Sequence, residues 1–152
     1  MTEELDMINS LTLQQQKYIE TIYDLCKLQG DAHSKDIAEI LEVKMPTVTF
    51  TLRNLSNLGI INYKARQAIT LTMLGNNIAE ILDVRHKNLS VFFYDILGCE
   101  ESRAESFACE IEHVIDCELS NRLKAFSSFI KEYDDQYNIA NKFKEYYSNL
   151  GN

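Results

Sequence analysis

Residues 45–63, with the sequence MPTVTFTLRNLSNLGIINY, decide the fold of this chain. Pro46 suits the first turn of a helix, because its missing N–H group would have no intrahelical partner there. Apolar side chains then recur at helical spacing. They are Val48, Leu52, Leu55 and Leu58. Gly59 is the residue type that commonly follows a helix, and from Ile60 the composition changes to β-branched and aromatic residues. The stretch therefore predicts a helix followed directly by a strand.

The flanking segments complete a winged helix-turn-helix pattern. Leu11–Leu28 carries apolar residues at an approximately helical period and predicts a first helix that ends at Gly30. Ser34 suits the N-cap of a short second helix, Ser34–Leu41. Two short strand-like segments follow the Pro46 helix and predict a hairpin. They are Ile60–Tyr63 and Ala68–Thr72. The helix that begins at Pro46 is then the recognition helix, and the hairpin is the wing.

The second half of the chain has helical patterns throughout. Thr72–Leu97 predicts a long helix that is more apolar than a surface helix requires, so it is central to a domain or part of a dimer interface. Gly98 would end it. Three further helices are predicted at Glu101–Asp116, Cys117–Phe129 and Ile130–Leu150. The predicted fold class is therefore mainly α. A winged helix-turn-helix domain occupies residues 1–72, and an all-helical domain occupies residues 73–152.

Composition limits the class of protein. The 152 residues include 45% hydrophobic residues, which is typical of a folded globular chain. No apolar run is long enough for a transmembrane helix, and residues 1–10 lack the apolar core of a signal peptide, so a cytoplasmic location and no membrane partner are expected. In a reducing compartment the four cysteines are expected to be thiols. No nucleophile–base pair, phosphate loop or cofactor fingerprint is present, so an enzyme is not expected.

Charge is unevenly distributed along the chain. The net charge is −8, but Val43–Ala79 contains no acidic residue and four basic ones. This positive region coincides with the predicted recognition helix and wing, and phosphate contact requires such a region. The residues predicted to contact DNA are Lys44, Pro46, Thr47, Thr49, Phe50, Arg53, Lys64 and Arg66. The alternative is that the threonines are ordinary surface residues of a helix. Thr51 and Asn54 are also expected outside the core.

Residues 107–116, FACEIEHVID, predict a metal-binding helix. On a helical wheel, the side chains that can bind a metal share an arc of roughly 100°. They are Glu105, Cys109, Glu112, His113 and Asp116. Apolar residues including Val114 and Ile115 fall in a separate arc and are expected in the core. Carboxylate, thiolate and imidazole ligands suit a first-row divalent metal better than calcium or magnesium.

Several motifs together resemble one family. They are YIETIYDL at Tyr18–Leu25, IAEIL and MPTVTFTLRNL within Ile37–Leu55, ITLTMLG at Ile69–Gly75, Arg85-His86, and ACEIEHV and LSNRL between Ala108 and Leu123. In order and spacing they are similar to the diphtheria toxin repressor and manganese transport regulator (DtxR/MntR) family of metal-dependent transcriptional repressors. The resemblance implies a winged helix-turn-helix followed by a helical dimerisation domain. It also implies that a divalent metal bound between the domains favours operator binding.

The resemblance assigns metal ligands residue by residue. Cys109, Glu112 and His113 match the principal motif of the dimerisation domain, and His86 matches the histidine of the long helix. Glu20 matches the carboxylate on the first helix of manganese-type members, and Glu105 matches an ancillary-site position. Asp116 is then expected to be a solvated neighbour. Because the chain ends at Asn152, the third domain of the longer members is expected to be absent.

Two residues depart from the family pattern. Lys17 stands where the family usually has an Asp or Met ligand, and Ser90 replaces a carboxylate one turn after His86. Lys17 either faces solvent, with water filling the missing ligand position, or lies against Glu112 in place of one metal of a pair. The number of metals per subunit is therefore open. Ser90 is expected to weaken an ancillary site.

The predicted function is a metal-dependent repressor of metal-ion homeostasis. It would act as a homodimer on a pseudo-palindromic double-stranded DNA operator, with Mn²⁺ or Fe²⁺ as cofactor and Zn²⁺, Co²⁺ or Ni²⁺ as alternatives. One rival keeps the fold but senses thiol oxidation through Cys99, Cys109 or Cys117, or binds an organic effector. A second rival is an acidic helical dimer that acts as an interaction or metal-buffering protein. It leaves the positive region and the wing unexplained.

Overall fold

The computed structural model describes residues 2–150. The chain forms two compact units, the first ending at Asp83 and the second beginning at Val84. The fold is mainly α with one two-stranded antiparallel sheet, as predicted. The elements of the first part are α1 (Thr2–Ser10), α2 (Leu13–Gln29), α3 (Ser34–Ile40), α4 (Met45–Asn57), β1 (Ile61–Asn62) and β2 (Thr70–Leu71). They are followed by α5 (Met73–Val91), a π-helical turn (Phe92–Ile96), α6 (Glu101–Ile111), α7 (Cys117–Tyr137) and α8 (Ile139–Asn149). No helix in this described range is long and apolar enough to cross a membrane.

The start of α2 is set by a capping box. The Thr12 hydroxyl accepts a hydrogen bond from the Gln15 backbone N–H (3.2 Å), and the Thr12 N–H donates to the Gln15 side chain (2.9 Å). The helix therefore begins at Leu13 and not at Leu11, and it ends at Gly30 as predicted. Helix α1, which precedes it, was not predicted.

Helix α4 follows the sequence prediction closely. Pro46 lies in its first turn, and Gly59 follows its C-cap with a φ of 71°, a value that favours glycine. Thr51 is buried, so its expected place outside the core is wrong. Helix α3 has its N-cap at His33, and the prediction of Ser34 as N-cap is wrong by one residue.

The wing is short and firmly attached. β1 and β2 pair antiparallel, with Ile61 opposite Leu71 and Asn62 opposite Thr70. A further pair of backbone hydrogen bonds, 2.9 and 2.8 Å long, joins Ile69 to Ala32 in the loop before α3. The second strand of the wing is therefore hydrogen-bonded to β1 and, just before it begins, to the loop that precedes α3.

One core lies in the first unit. Fully buried side chains from α1, α2, α3, α4, the wing and α5 meet there. The largest are Tyr18, Ile8, Ile19, Ile22, Ile37, Leu52, Leu55, Ile60, Ile69, Ile78 and Leu82. Burial of this many large apolar groups is what fixes the angle of α4 and leaves its other face to solvent.

The second unit departs from prediction at three helix ends. The predicted helix Thr72–Leu97 is interrupted by a π-helical turn, in which the Leu97 N–H bonds to the Phe92 carbonyl five residues earlier (3.1 Å). α7 runs on to Tyr137, so the predicted division after Phe129 is wrong. The chain turns instead at Asn138, whose φ is 50°.

The helix predicted at Glu101–Asp116 ends early, at Ile111. Glu112 is its C-cap, and Asp116 caps the next helix by accepting the Leu119 N–H (2.8 Å). Val114 lies in the intervening turn and is 83% exposed, so its predicted place in the core is wrong. The prediction that one continuous helix carries His113 and Asp116 is also wrong, because both residues lie in the segment between the end of α6 at Ile111 and the start of α7 at Cys117.

Candidate metal centre and nucleic-acid interface

An imidazole lies between two carboxylates in the second unit. His86 on α5 places Nδ1 2.9 Å from Glu112 Oε2 and Nε2 2.8 Å from Glu105 Oε2. Glu105 on α6 and Glu112 at its C-cap are seven residues apart, which is close to two helical turns, so both point toward one side of the helix. Three of the predicted ligands, His86, Glu105 and Glu112, are therefore in contact with one another.

Glu112 is the buried member of this cluster, with only 3% of its surface exposed. Its second oxygen, Oε1, lies 3.6 Å from Nε2 of His113, whose side chain is also buried. Glu112 thus stands between two imidazoles. A buried carboxylate needs positive or hydrogen-bonding partners, and here both are histidines.

Ser90 positions the outer carboxylate. Its hydroxyl donates to Glu105 Oε1, while Glu105 Oε2 contacts His86. Ser90 lies one turn after His86 on α5, so both side chains reach Glu105 from the same helix face. Ser90 therefore orients Glu105. The sequence comparison showed only that Ser90 replaces a carboxylate, and it did not suggest this role.

The remaining predicted ligands lie in different settings. Cys109 is an exposed thiol on α6. Glu20 is half-buried on α2 of the first unit, and Lys17, one turn earlier, is exposed. Asp116 is exposed, as expected, but its carboxylate serves as a helix cap. The described contacts therefore bring together His86, Glu105, Glu112 and His113.

The carboxylates change the protonation of His86. Its hydrogen bond to Glu112, and less strongly the one to Glu105, raise the pKa of His86 to about 9, although burial opposes the shift. The Ser90 hydroxyl and His86 lower the pKa of Glu105. In the metal-free protein, the positive charge between the two carboxylates is therefore the protonated imidazole of His86.

Metal-free protein is expected to keep His86 protonated at neutral pH. Because the folded-state pKa lies above the ordinary value of 6.5, the stabilisation from this proton is complete below pH 6.5 and is lost as pH rises through about 9. NMR titration of the imidazole resonances measures this directly. Glu112→Gln should lower the His86 pKa, and a midpoint below 7 in the unmodified chain would contradict the prediction.

The donor set fits a divalent transition metal. A metal would replace a proton on a ring nitrogen of His86. It could also bind the carboxylate oxygens that lie within 3 Å of that ring. Imidazole and carboxylate together suit Mn²⁺, Fe²⁺, Co²⁺, Ni²⁺ and Zn²⁺. The residues present are therefore chemically suited to such a cofactor.

Most of the predicted DNA-contact residues in the first unit are exposed. Phe50 is 67% exposed at the middle of α4, and Arg53 is exposed one turn later. Lys44, Pro46, Thr47, Lys64 and Arg66 are exposed as well, and Thr49 is half-buried. A groove of about 340 Å³ lies between α4 and the wing, lined in part by Thr49, Arg53 and Arg66. The groove therefore has a cation from α4, Arg53, and a cation from the wing, Arg66, which suits contact with a duplex backbone.

Sequence reasoning missed two contacts that hold the second unit together. Asn88 on α5 donates to the buried Ser120 hydroxyl on α7 (3.0 Å), and Arg85 donates to the Cys117 sulfur (3.2 Å). In the sequence, Arg85 is notable only as part of the Arg85-His86 motif. Nothing in the spacing links it to a residue 32 positions later.

Comparison with known proteins identifies both halves of the chain. Residues 10–69 match the iron-dependent repressor N-terminal DNA-binding domain, and residues 72–140 match the iron-dependent repressor metal-binding and dimerisation domain. An uncharacterised HTH-type transcriptional regulator of Methanocaldococcus jannaschii is 33% identical over 116 residues, covering 76% of this chain and 93% of the relative. The HTH-type transcriptional regulator MntR of Shouchella clausii is 31% identical over 115 residues, covering 76% and 80%.

Solved structures share the fold. A manganese-dependent transcriptional repressor in complex with manganese has a TM-score of 0.69 at 27% identity, covering 76% of this chain and 53% of that chain. IdeR of T. acidophilum has a TM-score of 0.65 at 24% identity, covering 82% and 55%. This chain spans about half the length of these solved chains. With both family models matched in order, the chain belongs to the iron-dependent repressor (DtxR/MntR) family, whose members are DNA-binding transcriptional regulators and not enzymes.

Proposed function

We propose that this chain is a cytoplasmic, metal-dependent repressor of genes for metal-ion homeostasis. One observation carries the proposal: His86 lies between Glu105 and Glu112, with His113 beside Glu112, in the unit that matches a metal-binding and dimerisation domain. In the proposed site, Cys109 and Glu20 complete the ligand set, and Glu105 serves as an ancillary ligand.

The proposed mechanism is thermodynamic linkage between two sites. A divalent metal held by these residues would supply the positive charge that the carboxylates need, and its ligands would come from both the DNA-binding and the dimerisation domain. Glu20 would contribute from α2, which shares its core with α4, while His86, Glu112 and His113 contribute from the other domain. Ligand groups drawn from both domains would then favour one arrangement of the recognition helices. By reciprocity, operator DNA must tighten metal binding by the same factor.

DNA contact is proposed to divide between helix and wing. Thr47, Thr49 and Phe50 on α4 would face base edges in the major groove, and Phe50 is suited to a thymine methyl group. Lys44, Arg53, Lys64 and Arg66 would contact phosphates and give a steep decrease of affinity with salt. Pro46 sets the start of α4, where backbone N–H groups also favour phosphate.

The proposed assembly is a homodimer. α7 and α8 expose many aromatic side chains, which is uncommon for the surface of a monomer. They include Phe126, Phe129, Tyr133, Tyr137, Phe143, Tyr146 and Tyr147. A twofold dimer predicts a pseudo-palindromic operator with half-sites about one helical turn, or a multiple of it, apart.

The proposed metal is Mn²⁺ or Fe²⁺. The related repressor solved with manganese and the iron-dependent family models support these two, and the thiolate of Cys109 also admits Zn²⁺, Co²⁺ or Ni²⁺. Lys17 leaves the number of metals per subunit to be measured.

Operator binding titrated with each metal tests the proposal. The DNA is a fragment from the promoter region of the gene that encodes this chain. Tight binding is expected only with divalent metal, and the logarithm of the affinity should fall linearly with the logarithm of the salt concentration. Metal content by mass spectrometry gives the stoichiometry. Arg66→Ala should lower affinity and reduce the salt slope by about 1. Equal DNA affinity with and without every metal would refute the proposed regulation, and binding without salt dependence would refute the proposed interface.

A further inference from the structure

Two arginines line one groove in the first unit. Arg53 comes from α4 and Arg66 from the turn of the wing, and the groove has a volume of about 340 Å³. Of the described residues that line it, none is acidic. Among the described residues, neither guanidinium forms an ion pair, whereas Arg122 pairs with Glu118 at 2.8 Å. The groove therefore collects positive charge that no described side chain neutralises, and it attracts an anion.

The backbone of the wing holds Arg66 in a conformation that is unfavourable for arginine. The Gln67 N–H donates to the Lys64 carbonyl at 3.1 Å, so residues 64–67 form a turn with Ala65 and Arg66 at its centre. The φ of Arg66 is 66°, in the left-handed region where glycine and asparagine are more usual. Arginine does not help this turn to form. Its side chain is therefore what the residue contributes at this position.

The backbones that carry the two arginines are both fixed by the core. Leu52 and Leu55, which flank Arg53 on α4, are fully buried. On the return side of the wing, Ile69 is also fully buried and exchanges backbone hydrogen bonds of 2.9 and 2.8 Å with Ala32. The core therefore sets the separation of the two backbones, while the exposed side chains adjust to a ligand. Two such guanidinium groups can hold one anion from two elements at once.

The groove suits a phosphate that belongs to a DNA strand. Small-ligand sites occupy roughly 300–1,000 Å³, and this groove lies at the lower end of that range with about 340 Å³. It can therefore admit a phosphate together with part of an adjoining deoxyribose. Met45, which is 46% exposed, and the half-buried Tyr63 offer apolar surface to the sugar. Inorganic phosphate carries the charge but has no sugar for that surface.

We propose that Arg53 and Arg66 hold the same backbone phosphate of the operator, and that this shared phosphate fixes the position of α4 along the major groove. The phosphate seat rests on the proposed operator binding, and it names the chemical group that this part of the interface holds. Because one ligand group contacts both side chains, their contributions to affinity are coupled and not additive.

Operator fragments with a single uncharged methylphosphonate in place of one backbone phosphate test the shared seat. With the metal-loaded, full-length chain, one position in each half-site should lower affinity about tenfold, the size expected for a hydrogen bond to a charged group. The same replacement should have a smaller effect on Arg53→Gln and on Arg66→Asn. In the double variant its effect should be less than about twofold. Asparagine tolerates the left-handed backbone, so the wing turn is kept.

Lys64→Gln is the matched control, because it removes a charge from the same hairpin and Lys64 is not among the described residues that line the groove. It should keep the full loss at the seat position. If Arg53→Gln and Arg66→Asn lose sensitivity at two different phosphates, the shared seat is overturned while operator binding stands. A scan of the unmodified chain that finds no sensitive position would overturn it too, whether or not the variants fold.

Two further outcomes separate the seat from the proposed function. Failure of the metal-loaded chain to bind any unmodified operator fragment would refute the proposed function and the seat together. Competition by inorganic phosphate, without any sensitive methylphosphonate position, would assign the groove to a free anion and overturn the seat alone. Coupled loss at one position, with operator binding retained, would support both.

Discussion

Glu112→Gln is expected to weaken divalent-metal binding by about 100-fold or more, because loss of even an outer partner of a metal ligand costs 10–100-fold. Glu112 is buried, and its two oxygens lie 2.9 Å from His86 Nδ1 and 3.6 Å from His113 Nε2. Glutamine has the same shape and can still accept a hydrogen bond from a histidine. It lacks the negative charge that a divalent cation requires, so the fold should survive while the site fails.

Isothermal titration of Mn²⁺ and Zn²⁺ into metal-free protein measures this loss. Glu110→Gln is the matched control, because it removes the same charge from an exposed position on α6 and should leave affinity within about twofold. Metal-stimulated operator binding should disappear with Glu112→Gln. It should also disappear when Cys109 and Glu112 are both replaced by alanine. Undiminished stimulation in that double variant would show that the sensor site lies elsewhere.

The winged helix-turn-helix could be predicted because its signals are local. Pro46 and Gly59 mark the two ends of α4, and the change of composition at Ile60 marks the strand. Each residue acts on its own backbone or on neighbours within one turn. The error at Ser34 has the same origin, since His33 has the extended backbone of an N-cap without the side chain of one.

The candidate metal site could be predicted only in part. The spacing of Glu105 and Glu112 is local to α6, but the position of His86 between them depends on how α5 packs against α6. A helical wheel also assumes that the helix continues. Helix α6 ends at Ile111, and Asp116 is the N-cap of the next helix. The preference of aspartate for N-cap positions was the one feature of the sequence that indicated this break.

Polar contacts between residues far apart in the sequence could not be predicted, because no sequence pattern marks them. Ser90 was judged by the carboxylate that it replaces, yet its hydroxyl fixes Glu105. Arg85 and Cys117 are 32 positions apart, and nothing in their spacing predicts that the guanidinium reaches the sulfur. Charge and residue type indicate which groups can react. The packing of two helices decides which of them meet.

Gly75→Ala is expected to destabilise the first unit by about 3 kcal/mol, although the same change in an open helix position would stabilise it by up to about 1 kcal/mol. A Cβ at this position would lie 2.0 Å from the Ile60 carbonyl oxygen. That oxygen cannot move away at low cost, since it accepts a hydrogen bond from the Thr72 N–H at 3.0 Å, and the Thr72 hydroxyl holds the neighbouring Gly59 carbonyl at 2.7 Å. Thr72 in turn caps the start of α5 by accepting the Gly75 N–H at 3.1 Å.

Urea unfolding followed by circular dichroism measures the change, and hydrogen exchange by mass spectrometry assigns it to a unit. Protection should fall in α2, α4 and the wing, because all three share one core with the start of α5. Met73→Ala is the matched control on the same helical turn, where the side chain is 82% exposed, and it should change stability by less than about 0.5 kcal/mol. A stabilised Gly75→Ala protein would mean that α5 does not pack closely against the Ile60 carbonyl.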